Sequence, residues 1–197
     1  CPPGSSEAAE GVAMALNELD YWCAGTLEKN CSSARGKTFP EFAQGLTGLR
    51  VTKQMLDEAL DELEYWPKPL EWTAEQRLEI ARKIRRKSKP IVIAANKCDS
   101  PHASKNLKRL RDAYPEERVV PCSADSELAL QRAKEKGLVE YLGEGGFKAA
   151  EGVPEKLGAA LEKIRVRVIE PYGSTGTAEL LDAAVFGLFN KISVFPV

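Results

Sequence analysis

The sequence predicts an α/β protein whose first half is helical. Residues 90–95, "PIVIAA", are an unbroken apolar run rich in β-branched residues, the pattern of a strand buried on both faces. After it, Leu107, Leu110 and Tyr114 recur at helical spacing, and "ERVVPCSA" forms a second short apolar run. Strand, helix and strand within about 35 residues make a βαβ unit, which crosses over into a parallel sheet. Before residue 89 the apolar spacing is that of helices throughout.

Three helical stretches come first. In "EAAEGVAMALNELDYWCAGTLEKN", Val12, Leu16, Leu19, Cys23 and Leu27 make one apolar face. A looser segment punctuated by Gly36, Pro40, Gly45 and Gly48 follows. "VTKQMLDEALDELEYW" resumes the pattern through Leu56, Leu60 and Leu63 and stops at Pro67 and Pro69; its Asp57 and Asp61 are expected on the helix surface. Thr73 and Gln76 stand at capping-box spacing and open a helix continued by Leu78, Ala81 and Ile84 or Arg85.

After Asp99, Ser100-Pro101 fits an N-cap followed by proline in the first helical turn. Beyond the second strand, "SELALQRAKEKGLVEYL" predicts a helix ending near Gly137, and "PEKLGAALEKIRVRVIEPYG" is mostly helical. "STGTAELLDAAVFGLFNKI" predicts a last helix, N-capped at Ser174 or Thr175, with Leu180, Leu181, Ala184, Val185 and Leu188 inward. "SVFPV" reads as the start of another strand.

Composition narrows the function classes. A chain of 197 residues can bury a core as one domain or a domain with an appendage. A net charge of −1 gives no global field toward nucleic acid or membrane. Pro90–Ala95, the longest apolar run, is far too short to span a bilayer, and a cytoplasmic protein is expected. Cys1 stands where an initiator Met would, and "CPPGSSEAAEG" has no signal-peptide pattern, so the sequence is expected to begin inside a longer chain. Cys1, Cys23, Cys31, Cys98 and Cys122 form neither a disulfide framework nor paired zinc ligands and are expected as reduced thiols. His102, the single histidine, is expected on a solvated loop.

The chemistry lies at the strand ends. Asn96-Lys97-Cys98-Asp99 puts a carboxylate beyond the carboxyl end of the first strand, where open α/β sheets bind ligands. A carboxylate there can accept two parallel hydrogen bonds, from N1–H and the 2-amino group of guanine. Adenine offers neither donor and would leave a desolvated carboxylate unpaired, at a cost of roughly 1–3 kcal/mol or more. The Asn96 amide can meet guanine N7 and brace neighbouring loops, and the Lys97 stem can cover the base face. At the end of the second strand, Ser123-Ala124 offers a backbone N–H from Ala124 to guanine O6.

"CSSARGKT" at residues 31–38 is not read as the matching phosphate loop. Such a loop needs G-x-x-x-x-G-K-[ST] between a strand and a helix, but Cys31 replaces the first glycine and the helix-like "TLEKN" precedes it. The basic run "RKIRRKSK", Arg82–Lys89, is read as solvated cations near a helix C-terminus, with an RNA-facing patch as the alternative.

"RKSKPIVIAANKCD", "VVPCSADSELALQRAKEKGLVEYLGE" and "EPYGSTGTAELLDAAVFGLFNKISVFPV", with "NELDYWCAGTLEKN", resemble the YchF family of Obg-related GTPases, in its archaeal-type branch. The resemblance implies the second half of a P-loop GTPase domain, with a Rossmann-like parallel sheet and a helical, coiled-coil-like insertion. Residues 1–87 would be the end of a G-domain helix and the insertion. Residues 88–197 would be the C-terminal half of the G domain, reaching the junction to a TGS domain. It implies that Asn96, Lys97, Asp99, Ser123 and Ala124 read the base of GTP or GDP. Mg2+ is expected in the parent protein, with no ligands in this stretch. No catalytic residue is assigned, and this stretch alone is expected to be inactive. Guanine nucleotide and the ribosome or its RNA are the implied partners. The rival readings are a non-catalytic helical module docking on RNA or the ribosome, and a parent protein that uses ATP.

Overall fold

The computed structural model describes residues 7–143 and 145–188, so the strand expected in "SVFPV" lies outside the described residues. The chain divides into two units, Glu10–Pro90 and a second comprising Cys1–Ala9 and Ile91–Val197. The architecture is α/β, mostly helical with a small parallel sheet. Among the described residues no helix is long and apolar enough to cross a membrane.

The helical unit is built from α1 (Glu7–Ser32), α2 (Phe39–Gln44), a 3-10 turn at Thr47–Leu49, α3 (Lys53–Leu63) and α4 (Ala74–Ser88). Leu27, Phe42, Leu46, Leu56, Ile80 and Ile84 are buried together with Trp72. The Trp72 ring meets Phe42 edge-on, with centroids 5.7 Å apart. The predicted capping box forms: Gln76 N donates to Thr73 Oγ1 at 3.2 Å and Thr73 N to Gln76 Oε1 at 2.9 Å. Ala81, Ile84 and Arg85 are buried as the α4 spacing predicts, and Ile80 joins them.

The apolar face predicted for α1 holds at Val12, Leu16, Cys23 and Leu27 and departs at one position. Cys23 and Leu27 are buried and Leu16 is half-buried, but Leu19 is 37% exposed and Asp20 is buried in its place. Arg85 Nε donates to Asp20 Oδ1 at 2.8 Å, so a cation reaching in from α4 makes burial of that carboxylate tolerable. Arg82 lies 3.6 Å from the other Asp20 oxygen. Lys83 pairs with Glu62 at 2.8 Å, and Lys87 with Glu58 at 2.7 Å and Glu62 at 3.0 Å. Much of the Arg82–Lys89 run is therefore matched by carboxylates of α1 and α3.

In the second unit β1 (Val92–Ala95) pairs in parallel with β2 (Arg118–Pro121), Val92 opposite Arg118 and Ala95 opposite Pro121. Between them runs α5 (Ala103–Ala113), which buries Leu107 and Leu110, so the predicted βαβ unit is present. Two details differ. β1 is covered on one face only: Ile93 is buried, whereas Ala94 is exposed. Helix α5 starts at Ala103 with His102, exposed in a turn, at its N-cap, because Ser100 and Pro101 are taken up by a preceding turn in which Ala103 N donates to Ser100 O at 3.1 Å.

Helix α6 (Ala124–Glu135) ends before Gly137, whose φ of +67° turns the chain into a hairpin absent from the sequence reading. Its strands are β3 (Val139–Tyr141) and β4 (Phe147–Ala149), antiparallel, with Tyr141 opposite Phe147. Helix α7 (Glu155–Ile164) runs into a π-helical stretch, Arg165–Ile169, and the short α8 (Glu170–Tyr172). Leu130, Tyr141, Leu161 and Val168 anchor this core.

The last helix, α9 (Thr177–Asp182), becomes π-helical over Ala183–Leu188. The predicted inward face is kept only in part, with Leu180, Ala184 and Leu188 half-buried. Ala183 is buried, while Leu181 is 60% exposed and Val185 is exposed too, because i→i+5 bonding changes which residues share a face. Neither Ser174 nor Thr175 caps α9; Gly176 holds the N-cap position with φ +77°.

Candidate functional site

The loops leaving β1 and β2 converge because the parallel ladder continues past the strands. Cys122 N donates to Ala95 O, and Cys98 N to Cys122 O, each at 3.0 Å. Between those bonds Lys97 takes φ +66°, one of three described non-glycine residues with positive φ. A left-handed residue with a side chain costs about 1–2 kcal/mol, and such strain persists only where neighbours fix it. Here Asn96 N donates to Ala94 O at 3.0 Å and Ser100 N to Lys97 O at 3.1 Å. The kink lifts the exposed Lys97 out of the loop and lets Asp99 fold back toward the end of β2.

Asn96 bridges the two loops. Its Oδ1 accepts from Lys97 N at 2.9 Å and from Ala124 N at 3.1 Å. With two N–H donors on one side, the amide oxygen must face them, and Nδ2 is left to donate elsewhere. Asp99 is half-buried, and its Oδ1 accepts from Ser123 Oγ at 3.1 Å. That bond fixes the carboxylate and leaves Oδ2 open as an acceptor. Ser123 itself is 1% exposed. Its side chain orients Asp99 and does not face an incoming molecule, whereas Asn96, Lys97 and Ala124 are exposed.

Every polar group of Ser123 is engaged. Ser123 N donates to Thr175 O at 2.9 Å, and Glu127 N donates to Ser123 O at 3.0 Å. Its hydroxyl lies 2.8 Å from Ser126 Oγ and accepts from Ser126 N. Sequence reasoning missed the residues beneath. Glu127 accepts from Thr175 Oγ1, from Tyr141 Oη at 2.6 Å and from Gln131 Nε2 at 2.8 Å. Burial pushes the Glu127 carboxyl up, but these three hydrogen bonds outweigh it and hold its pKa below the ordinary value. Burial, reinforced by the bond to Glu127, pushes the Tyr141 hydroxyl up to about 12.

The flanking thiols are buried. Burial, with Asp99 nearby, pushes Cys98 up to about 12, and burial also raises Cys122. Among the described residues both are free, as are Cys23 and Cys31.

Residues 31–38 are far from this arrangement in kind. They begin in the last turn of α1, and Thr38 precedes the short α2 with its backbone N–H and hydroxyl both donating to Glu41, at 2.7 and 2.8 Å. Among the described residues no group of three or more His, Cys, Asp or Glu is gathered to hold a metal.

Comparison with known proteins points the same way. The family described as "Obg-like GTPase YGR210-like, G4 motif-containing domain" matches residues 94–197, a stretch that includes Asn96–Asp99, Ser123 and Thr175. "Uncharacterized GTP-binding protein MJ1332" of Methanocaldococcus jannaschii is 33% identical over 204 residues, covering 100% of this chain and 51% of that protein. "Uncharacterized GTP-binding protein C428.15" of Schizosaccharomyces pombe is 29% identical, covering 94% of this chain and 49% of its own length. The crystal structure of a GTP binding protein from Pyrococcus horikoshii OT3 superposes with a TM-score of 0.71 at 30% identity, covering 100% of this chain and 55% of that one. The chain thus spans about half the length of the curated relatives it matches.

Proposed function

Because the chain belongs to the YGR210-like family of Obg-like GTPases, we propose that its α/β unit reads the base of a guanine nucleotide, as part of a GTPase of the YchF/Obg type. The observation that carries this reading is the convergence of two strand-end loops on one acceptor: Asp99, oriented by Ser123 and leaving Oδ2 open, beside Asn96 bridged to Ala124.

In this reading Asp99 accepts from N1–H and the 2-amino group, and Lys97 lays its stem on the base. In the described conformation the Ala124 N–H is donated to Asn96 Oδ1. Guanine O6 takes over that N–H, and the Asn96 amide turns its Nδ2 to N7. Adenine would bring no donor to Asp99, which disfavours the ATP alternative. Ser123 contributes by holding Asp99 and not by touching the nucleotide.

The same reading makes these residues part of a P-loop GTPase domain with a Rossmann-like sheet over about residues 88–197, and makes the helical residues 1–87 a coiled-coil-like insertion. Residues 31–38 offer no phosphate cradle, so γ-phosphate and Mg2+ chemistry is assigned to no residue here and no catalytic step is derived. A cytoplasmic role in translation, with the ribosome or its RNA as partner, rests on the resemblance to the YchF family. The pairing of Arg82, Lys83, Arg85 and Lys87 with Asp20, Glu58 and Glu62 gives the alternative RNA-docking module no support from that run.

Competition binding in the full-length protein tests the base assignment. The wild type should prefer GDP over ADP and over xanthosine diphosphate. Asp99→Asn should reverse the preference toward xanthosine diphosphate by roughly tenfold or more, because an amide donor meets the extra carbonyl that a carboxylate repels. An unchanged ranking would remove Asp99 from the site.

A further inference from the structure

The "YGSTGT" turn between α8 and α9 has no place in the base reading, yet it packs closely on the end of β2 and bonds to Ser123. A Cβ on Gly176 would lie 1.9 Å from Pro121 O and 3.0 Å from Cys122 Cα, so the turn rests directly on the backbone at the end of β2. Gly176 sits at φ +77°, where side chains are also disfavoured. Thr175, 0% exposed, points its carbonyl at Ser123 N and its hydroxyl at Glu127. Glu127 is in the first turn of α6, and its own N–H holds the Ser123 carbonyl.

We propose that Thr175, anchored by Glu127 and seated through Gly176, is a positioning residue of the base site, setting the orientation of the Ser123–Ala124 peptide that presents its N–H to the nucleotide. The proposal rests on the guanine reading and adds a residue of the 172–177 turn to it.

The geometry leaves the peptide one free direction. The Cys122–Ser123 peptide is held through its N–H by Thr175 O, the Ser123–Ala124 peptide through its carbonyl by Glu127 N, and the Ser123 hydroxyl by Asp99 and Ser126. The Ala124 N–H is then the group of this peptide that faces the open side, where it now meets Asn96. A turn that only covered the core would need no main-chain bond to Ser123. This one ties the Ser123 backbone, on the side before the Ser123–Ala124 peptide, to a carboxylate fixed by three donors, and a preset donor avoids the ordering cost of forming the contact on binding.

The test uses the full-length protein, with GDP, ADP and xanthosine diphosphate as probes and backbone amide exchange at Ser123 as a second readout. Thr175→Val should weaken GDP binding by roughly tenfold, about one hydrogen bond's worth, and accelerate exchange at Ser123, while Thr175→Ser restores both. Gly176→Ala should do at least as much by lifting the turn off Pro121. If Gly176→Ala fails to fold, Tyr141→Phe, which removes one donor to Glu127, is read in the same way and should have a smaller effect. Wild-type GDP affinity and unchanged Ser123 exchange in Thr175→Val would overturn the proposal. A wild type without guanine preference would instead sink the base reading, and Ser123 exchange alone would then decide whether Thr175 holds the peptide.

Discussion

The helical and the α/β unit both bury polar groups, and they direct them to opposite ends. In the helical unit the buried Asp20 and Arg85 meet each other across α1 and α4. Lysines of α4 are matched in turn by Glu58 and Glu62. In the α/β unit the buried Thr175, Ser123 and Ser126 form a chain that runs from Glu127 outward and ends at Asp99, which keeps an acceptor open beside an exposed Asn96. The lesson is that a buried polar group says little by itself. What matters is whether its hydrogen bonds terminate on a matched partner or on a group with valence to spare.

The largest expected effect tests the closed end of that comparison. Asp20→Ala leaves the Arg85 guanidinium buried without its carboxylate, and breaking such a pair from one side costs about 3–5 kcal/mol. Amide exchange along α4 should accelerate accordingly, while the order of preference among GDP, ADP and xanthosine diphosphate in the full-length protein stays as in the wild type. A change in base preference would show that the polar network of the helical unit also serves the site, and the contrast would fall.

A smaller effect probes the same unit at its edge. Thr73→Ala removes the acceptor for Gln76 N and half of a reciprocal cap. Loss of such a cap costs about 1 kcal/mol. Urea unfolding followed in the helical unit should report that loss, and exchange should rise first in the opening turn of α4. A loss as large as that of Asp20→Ala would mean that the start of α4 is held by much more than its cap.

These two residues also mark how far the sequence could be read. Thr73 and Gln76 stand three apart, so their bond is local and visible as a pattern. Asp20 and Arg85 are 65 residues apart, and nothing along α1 says that a carboxylate, not Leu19, turns inward. The site divides in the same way. Asn96, Lys97 and Asp99 lie together on one loop after an apolar run, and Ser123-Ala124 follows the next such run, so spacing alone brings them forward. Glu127 and Thr175 are 48 residues apart, and each is an ordinary polar residue on its own element. The β3–β4 hairpin escaped because strands of three residues are too short to display a two-residue period.

The most local prediction tests the open end of the comparison by pH. Burial alone pushes the Glu127 carboxyl up, but the hydrogen bonds from Thr175, Tyr141 and Gln131 hold its pKa below the ordinary value. A depressed carboxylate stabilises the fold above its unfolded pKa, about 4.3 for glutamate, and that contribution is lost as pH falls through the lower folded value. Tyr141, raised to about 12, stays protonated across this range. Protection of the Ser123 amide, corrected for intrinsic exchange, should therefore hold steady above the unfolded value of about 4.3 and fall as pH drops below it. In Glu127→Gln the step should disappear, because the amide no longer titrates. If it persists there, another group opens the loop in acid, and the chain from Glu127 through Thr175 to Ser123 does not govern the open end of the network.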